Sequence, residues 1–251
     1  MRGKIVKKLL IFDFDGVIVN SIDECLLTSY NAFQKFENNG VSLTDDLSDI
    51  APEYHKYFNL YRKFVRPAAE YYLIHRAFSD GLEIIDSESY NKLLILHKDK
   101  LLDYQKEFFN ERNRLLLVDK QKWLRLHSVY SNLAECWNIL SRIFDIYIVS
   151  NKDKVSIILL LNHFNLKINE DKIYGNENGD DKSIIISNNI ISTCSKSENI
   201  YFIDDNLDNL KSVKDLNIQL YHAMWGYTNT EGNSDSAIKE IYPNDILRIL
   251  I

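Results

Sequence analysis

The chain has 251 residues, 45% of them apolar, enough for one large core or for a core with a smaller companion domain. Its formal charge is −6, from 30 Lys and Arg against 36 Asp and Glu, which gives no footing for a nucleic-acid or membrane-surface partner. With only 8 glycines and 3 prolines there are few tight turns, so long helices joined by short polar loops are expected.

The first apolar run is KKLLIFDFDGVIVN, residues 7–20. Its basic start followed by LLIF imitates a signal peptide, but Asp13 and Asp15 interrupt it before it reaches the length of a signal core, and no small-residue cleavage site follows. No stretch approaches the roughly 18 uninterrupted apolar residues of a spanning helix. Cys25, Cys136 and Cys194 lie far apart with no C-x-x-C, a pattern of buried thiols in a reducing compartment rather than of disulfides or zinc. A soluble, cytoplasmic protein is expected.

Four apolar runs end abruptly in polar residues: 7–13 at Asp13, 144–150 at Ser150, 199–204 at Asp204, and 217–222 near His222. Runs of this length, rich in Ile, Val, Phe and Tyr, read as strands buried on both faces of a parallel sheet. Helical stripes alternate with them: Leu133, Trp137, Leu140 and Phe144; then Val155, Ile158, Leu159 and Phe164; then Leu207, Leu210, Val213 and Leu216. The interval from Ser21 to His127 carries no convincing strand. It reads as helices at about 20–36 and 66–78, the second opened by Pro67, and a long amphipathic helix through Tyr90, Leu94, Leu101, Tyr104 and Phe108. The predicted fold is α/β, a doubly wound Rossmann-like parallel sheet core with an inserted all-helical cap domain. Residues 1–19 and 128–251 form the core, and 20–127 the cap. The patch NENGDD, 176–181, is the most loop-like, and no internal repeat is seen.

In open α/β sheets ligands bind outside the carboxyl ends of the strands. The residues placed there are Asp13 and Asp15, Ser150, and Asp204 and Asp205, with Lys182 opening the helical pattern KSIIIS between the last two groups. Burying an unpaired carboxylate costs several kcal/mol, so aspartates at the end of an apolar strand need a partner or a task. An EF-hand starting at Asp13 is excluded, since it would put Val17 and Ile18 where an oxygen ligand and a glycine belong, and one starting at Asp204 is disfavoured because a strand precedes it and Asn209 takes the glycine position. Taken singly, Asp204–Asn206 read as a helix N-cap, Ser150 as a strand-end cap and Lys182 as a solvated lysine.

Taken together, in order, these residues resemble the four motifs of the haloacid dehalogenase-like phosphohydrolase superfamily. FDFDGVIVNS resembles its D-x-D-G-[TV], YIVSNK its apolar strand ending in Ser or Thr, Lys182 its lysine, and YFIDDNLDNL its acidic fourth motif. A helical insert directly after the first motif is similar to the C1 cap of the phosphoglycolate phosphatase-like branch, and MWGY at 224–227 resembles a W-G-Y of that branch.

The resemblance implies a phosphatase that hydrolyses a small phosphorylated metabolite through an aspartyl-phosphate, with Mg2+ as cofactor. Asp13 would attack phosphorus, and Asp15 would protonate the leaving group and then activate water. Ser150, Asn151 and Lys182 would hold the phosphoryl group. Asp13, Asp15 (through its backbone carbonyl) and Asp205 would hold the metal. Gly16 permits the turn that brings both aspartates to one side. The cap would close over the site and choose the substrate. Aligning DDNLDNL puts Asp204 in a glycine position and Asn209 where a second acid is usual, with Asp208 one residue out of register; the choice between Asp208 and Asn209 stays open. Dehalogenation is disfavoured because Asp15 is present. A phosphosugar mutase shares all four motifs, and a non-catalytic binder of phosphate ligands or protein partners takes its support from Asn209. Arg62, Lys63, Arg66, His75 and Arg76 form a basic segment that fits either a second substrate anion or a solvated face. A monomer or homodimer is expected, with neither nucleic-acid nor membrane partners.

Overall fold

The computed structural model describes residues 8–38, 43–179, 181–193, 200–228 and 235–250, so that Lys7, Asp180, Cys194 and Asn199 lie outside the described residues. The strands are β1 (Lys8–Phe12), β2 (Val19–Asn20), β3 (Ser128–Val129), β4 (Phe144–Val149), β5 (Ile173–Tyr174), β6 (Ile200–Asp204), β7 (Gln219–Ala223) and β8 (Ile238–Ile241). Six of them form a wholly parallel sheet in the order β5-β4-β1-β6-β7-β8, and β2 pairs with β3 as a small antiparallel ribbon. The four apolar runs became β1, β4, β6 and β7. β5 is two residues long, too short to show a pattern, and β8 buries only its two end isoleucines, so neither was legible.

The chain divides into two compact units, residues 1–20 with 128–251, and Ser21–His127. In the sheet unit β1 is buried on both faces, which is why Leu9 to Phe12 form an unbroken apolar run. Leu9 and Ile11 pack with Ile185, Ile186 and Ile190 and with Leu207, Leu210 and Val213. From the other side of the strand the Phe12 ring stacks on Trp137, 6.0 Å between centroids, in the helix Ser131–Ile143. Cys136 in this unit and Cys25 in the other are buried thiols, neither in a disulfide among the described residues.

The helical unit contains the helices Ile22–Asn38, Pro52–Tyr61, Tyr71–Ser79, Ser87–Leu96, Leu101–Val118 and Lys120–Arg125. The single long helix expected through 90–108 is two, separated by the 3-10 turn Lys98–Lys100. Three residues of 3-10 geometry shift the phase of the apolar stripe by only roughly 60°, so the periodicity runs on across the break. His75, left open between an anion ligand and a solvated face, is a core residue instead. It lies between the Tyr54 hydroxyl, 2.6 Å away, and Ser29 Oγ, 2.7 Å away, and burial pushes its pKa down to about 3, leaving it neutral. Arg76 is paired with Asp80 at its Nε, 2.8 Å, and also faces Glu37. Among the described residues no helix is long and apolar enough to cross a membrane.

Glu24 is wholly buried in this unit. Arg112 donates to both its oxygens, at 2.8 and 3.0 Å, and Thr28 donates to one of them at 2.8 Å. Removing the guanidinium alone strands the carboxylate in the interior. Arg112→Leu is expected to lower the unfolding free energy by about 3–5 kcal/mol in urea titrations, and Glu24→Leu/Arg112→Leu to recover most of that loss. Equal losses in the single and double variants would contradict the account.

Candidate active site

Because the sheet is parallel, the carboxyl ends of β1, β4 and β6 share one edge. Asp13 follows β1 and its N–H still donates to Ile203 O at 2.9 Å, while the Ser150 N–H after β4 donates to Tyr174 O at 3.0 Å. Both side chains are therefore fixed by the last rungs of the ladder. Asp204 is the final residue of β6, in register with His222.

Lys182 joins these strand ends. Its helix starts under a side-chain cap from Asp181, which accepts from the N–H groups of Ser183 and Ile184. The ammonium lies 2.9 Å from Asp13 Oδ1 and 2.7 Å from Asp204 Oδ2, with all three residues buried. Burial pushes the Asp13 carboxyl from its ordinary 3.8 up to about 6, with Lys182 pulling the other way and Asp204 adding to the rise. Burial works against the Lys182 charge as well, yet the two carboxylates hold its pKa above the ordinary lysine value.

Asp205 is held separately. Its Oδ2 accepts from Tyr227 N–H at 2.5 Å, and its backbone carbonyl lies 3.0 Å from His222 Nε2. Two glycines pack against the carboxylate: a Cβ on Gly16 would lie 2.1 Å from Asp205 Oδ2, and one on Gly226 would lie 2.6 Å from the same atom and 2.3 Å from Gly16 O. Gly16 also has φ +88°, a conformation that favours glycine. The turn it serves is tied down elsewhere, by Trp225 Nε1 donating to Val17 O at 3.0 Å and the Tyr227 hydroxyl donating to Asn20 Oδ1 at 2.8 Å. The loop 225–227 thus clamps both the first motif and Asp205.

Asp13, Asp204 and Asp205 each offer a carboxylate oxygen within 4.8 Å of the others. Three buried carboxylates against the one ammonium of Lys182 leave excess negative charge on hard oxygen donors, a set that fits a divalent cation such as Mg2+. The carboxylate of Asp15 lies apart from this trio, paired with Lys152 Nζ at 3.3 Å. Asp204, read from sequence as a glycine replacement or a cap, is instead part of the acidic centre, while the cap of the following helix is Asn206. Asn209 Nδ2 donates to Asp204 at 3.1 and 3.2 Å, whereas Asp208 is exposed. An amide suits position 209 because its neighbour is already an acid. Ser150 Oγ accepts from Lys152 N–H at 3.3 Å and keeps its own proton to donate, and Asn151 is half-buried beside it. Lys152 was missed from sequence: a lysine two residues past a strand carries no signal until the fold buries it.

Neither a scan of protein-family models nor a search of curated proteins finds a match. Solved structures do match over almost the whole chain. One, assigned as a phosphoglycolate phosphatase from Haemophilus somnus 129pt, is 15% identical with a TM-score of 0.65, covering 99% of this chain and 100% of that one. One assigned as a phosphatase from Clostridium difficile is 15% identical with a TM-score of 0.64, again covering 99% and 100%. A haloacid dehalogenase-like family hydrolase from Streptococcus pneumoniae is 17% identical with a TM-score of 0.60, covering 98% and 99%. The chain has the fold of the haloacid dehalogenase-like hydrolases.

The glycine clasp on Asp205 makes Gly226→Ala informative. The added methyl must displace the carboxylate or the Gly16 carbonyl, so a stability loss of about 1–3 kcal/mol is expected. Affinity for a divalent cation held by Asp205 should also weaken by at least about tenfold in calorimetry, the size of loss usual when a residue supporting a metal ligand is altered. Unchanged affinity would contradict the clasp.

Proposed function

We propose that the chain is a Mg2+-dependent phosphatase acting on a small phosphorylated metabolite, with Asp13 as nucleophile. The observation that supports it best is the buried set of Asp13, Asp204 and Asp205 around one lysine at the carboxyl edge of the sheet. Such a centre repels an anionic phosphomonoester unless a cation intervenes. Asp13, Asp205 and the Asp15 backbone carbonyl would hold Mg2+, which when bound supplies positive charge to the phosphoryl oxygens.

The chain's own groups divide the rest of the work. The Asp13 carboxylate attacks phosphorus and the ester bond breaks, giving an aspartyl-phosphate. The Asp15 carboxyl gives its proton to the leaving oxygen, then takes one from the water that displaces Asp13. The Ser150 hydroxyl and the Asn151 amide donate to phosphoryl oxygens, and the Lys182 ammonium offsets charge developing beside Asp13. The insert at 20–127 is proposed as the cap from its position in the chain, directly after the first motif. The non-catalytic alternative drew on Asn209, and the hydrogen bonds from Asn209 to Asp204 remove that support.

Wild type is expected to release phosphate from members of a panel of sugar phosphates, phosphoglycolate, nucleotides and aryl phosphates only with Mg2+ present. Asp13→Asn should lower the rate by at least about 10³-fold, as loss of a covalent nucleophile does. Release that survives either EDTA or the substitution would count against the proposal.

The raised pKa of Asp13 gives a second test. A carboxyl raised from 3.8 to about 6 contributes stability that is present below 3.8 and lost as pH rises through about 6. Above pH 6 the metal-free protein therefore carries an ionised carboxylate in its interior, and Mg2+ relieves it. The rise in Tm produced by Mg2+ is expected to be larger at pH 7.5 than at pH 5. An equal rise at both would show that the ion does not compete with this proton.

A further inference from the structure

Lys152 is 2% exposed, with its side chain wholly buried, and its ammonium lies 3.3 Å from Asp15 Oδ1. Desolvating an ammonium costs several kcal/mol, and the Asp15 carboxylate that faces it repays only part of that cost. Its backbone is fixed at both ends, the N–H donating to Ser150 Oγ at 3.3 Å and the carbonyl accepting from Asn176 N–H at 3.1 Å. A Cβ on Gly175 would come within 2.8 Å of that carbonyl, so the neighbouring loop leaves it no room to shift. The stem of Lys152 thus runs from an anchored turn after β4 to the carboxyl that follows β1.

We infer that Lys152 is a positioning residue for Asp15, holding its carboxyl in one orientation through both proton transfers. The inference rests on the phosphatase reading above and assigns a role that reading leaves unfilled. An ammonium can donate to a carboxylate and equally to the carbonyl oxygen of a protonated carboxyl. The contact therefore persists as Asp15 changes state. As the bond from Asp13 to phosphorus forms and the ester bond breaks, the leaving oxygen takes the Asp15 proton. The Asp15 carboxylate recovers a proton from the water whose oxygen then displaces Asp13. Neither transfer involves Lys152 directly, and a misaligned Asp15 would slow both.

Leaving-group dependence separates this role from simple support of the fold. Nitrophenolate departs without a proton, whereas phenolate, from a phenol of pKa about 10, gains from one. Lys152→Met is expected to lower kcat/KM for phenyl phosphate by about 100-fold while p-nitrophenyl phosphate stays within about threefold of wild type. In stopped flow p-nitrophenyl phosphate should then show a burst of nitrophenolate followed by a slower steady state, because water activation is also impaired. Lys152→Arg, which keeps a cation there, should show a smaller selective loss. Equal losses on the two esters, or no loss on either, would overturn the role. If Lys152→Met does not fold, the charge-balanced Asp15→Asn/Lys152→Met decides: a loss no greater than that of Asp15→Asn is expected, and a clearly larger loss overturns the role. A wild type inactive on both esters and on the sugar phosphates, phosphoglycolate and nucleotides would instead refute the phosphatase reading itself and this role with it.

Discussion

One ammonium shared by two buried carboxylates sets the terms for the rest of the site. Lys182 lies within 3 Å of both Asp13 and Asp204, and none of the three reaches solvent to a useful degree. An isolated charge in such surroundings costs several kcal/mol, and a buried pair recovers that only when its geometry and hydrogen bonds are good. Here the lone pairs of Asp204 are also met by Asn206 N–H and the Asn209 amide. Asp13 is less fully compensated, which is why burial still raises its pKa. With Asp205 alongside, the centre carries more negative charge than the lysine can balance. That deficit is a structural property of the sheet edge, and it makes a cation and a phosphoryl group suitable company for it.

The parallel sheet makes this arrangement possible. Strands buried on both faces have no freedom to slide, so the residues one step past their ends are fixed to the precision of the ladder. The Asp13 and Ser150 backbones each add one more rung. The clamp at 225–227 then holds the loop after β1 against Asp205 through Trp225, Gly226 and Tyr227. Charges that repel one another are kept together by backbone they cannot move.

Much of this was legible in the chain. The four longest strands are mostly apolar because both faces are largely covered, with the half-buried Asp145 in β4 and Gln219 in β7 among the exceptions. The ordered motifs point to Asp13, Asp15, Ser150, Lys182 and Asp205, residues that the fold carries just past the ends of β1, β4 and β6 or, for Lys182, beside them. What stayed hidden shares one cause: it depends on contacts between residues distant in sequence. Lys152 looks like any surface lysine until Asp15 is brought to it. Gly226 looks like a turn glycine, although what forbids a side chain there is Asp205. The exchange at 204 and 209, an acid in the glycine position and an amide in the acid position, reads as two departures in sequence and as one hydrogen-bonded pair in space. The place of His75 was hidden for the same reason, since it is enclosed by Tyr54, Ser29 and aromatic rings that no local pattern announces.

The central claim is that Asp13 is held by Lys182 in order to take a phosphoryl group. The most direct test is to quench the enzyme in acid during turnover of p-nitrophenyl phosphate with Mg2+ and to weigh the intact chain and its peptides. The account predicts a fraction of the chain heavier by one HPO3 group, carried on the peptide containing Asp13 and absent from Asp13→Asn. Turnover with no such adduct, or with the adduct on a different residue, would contradict it.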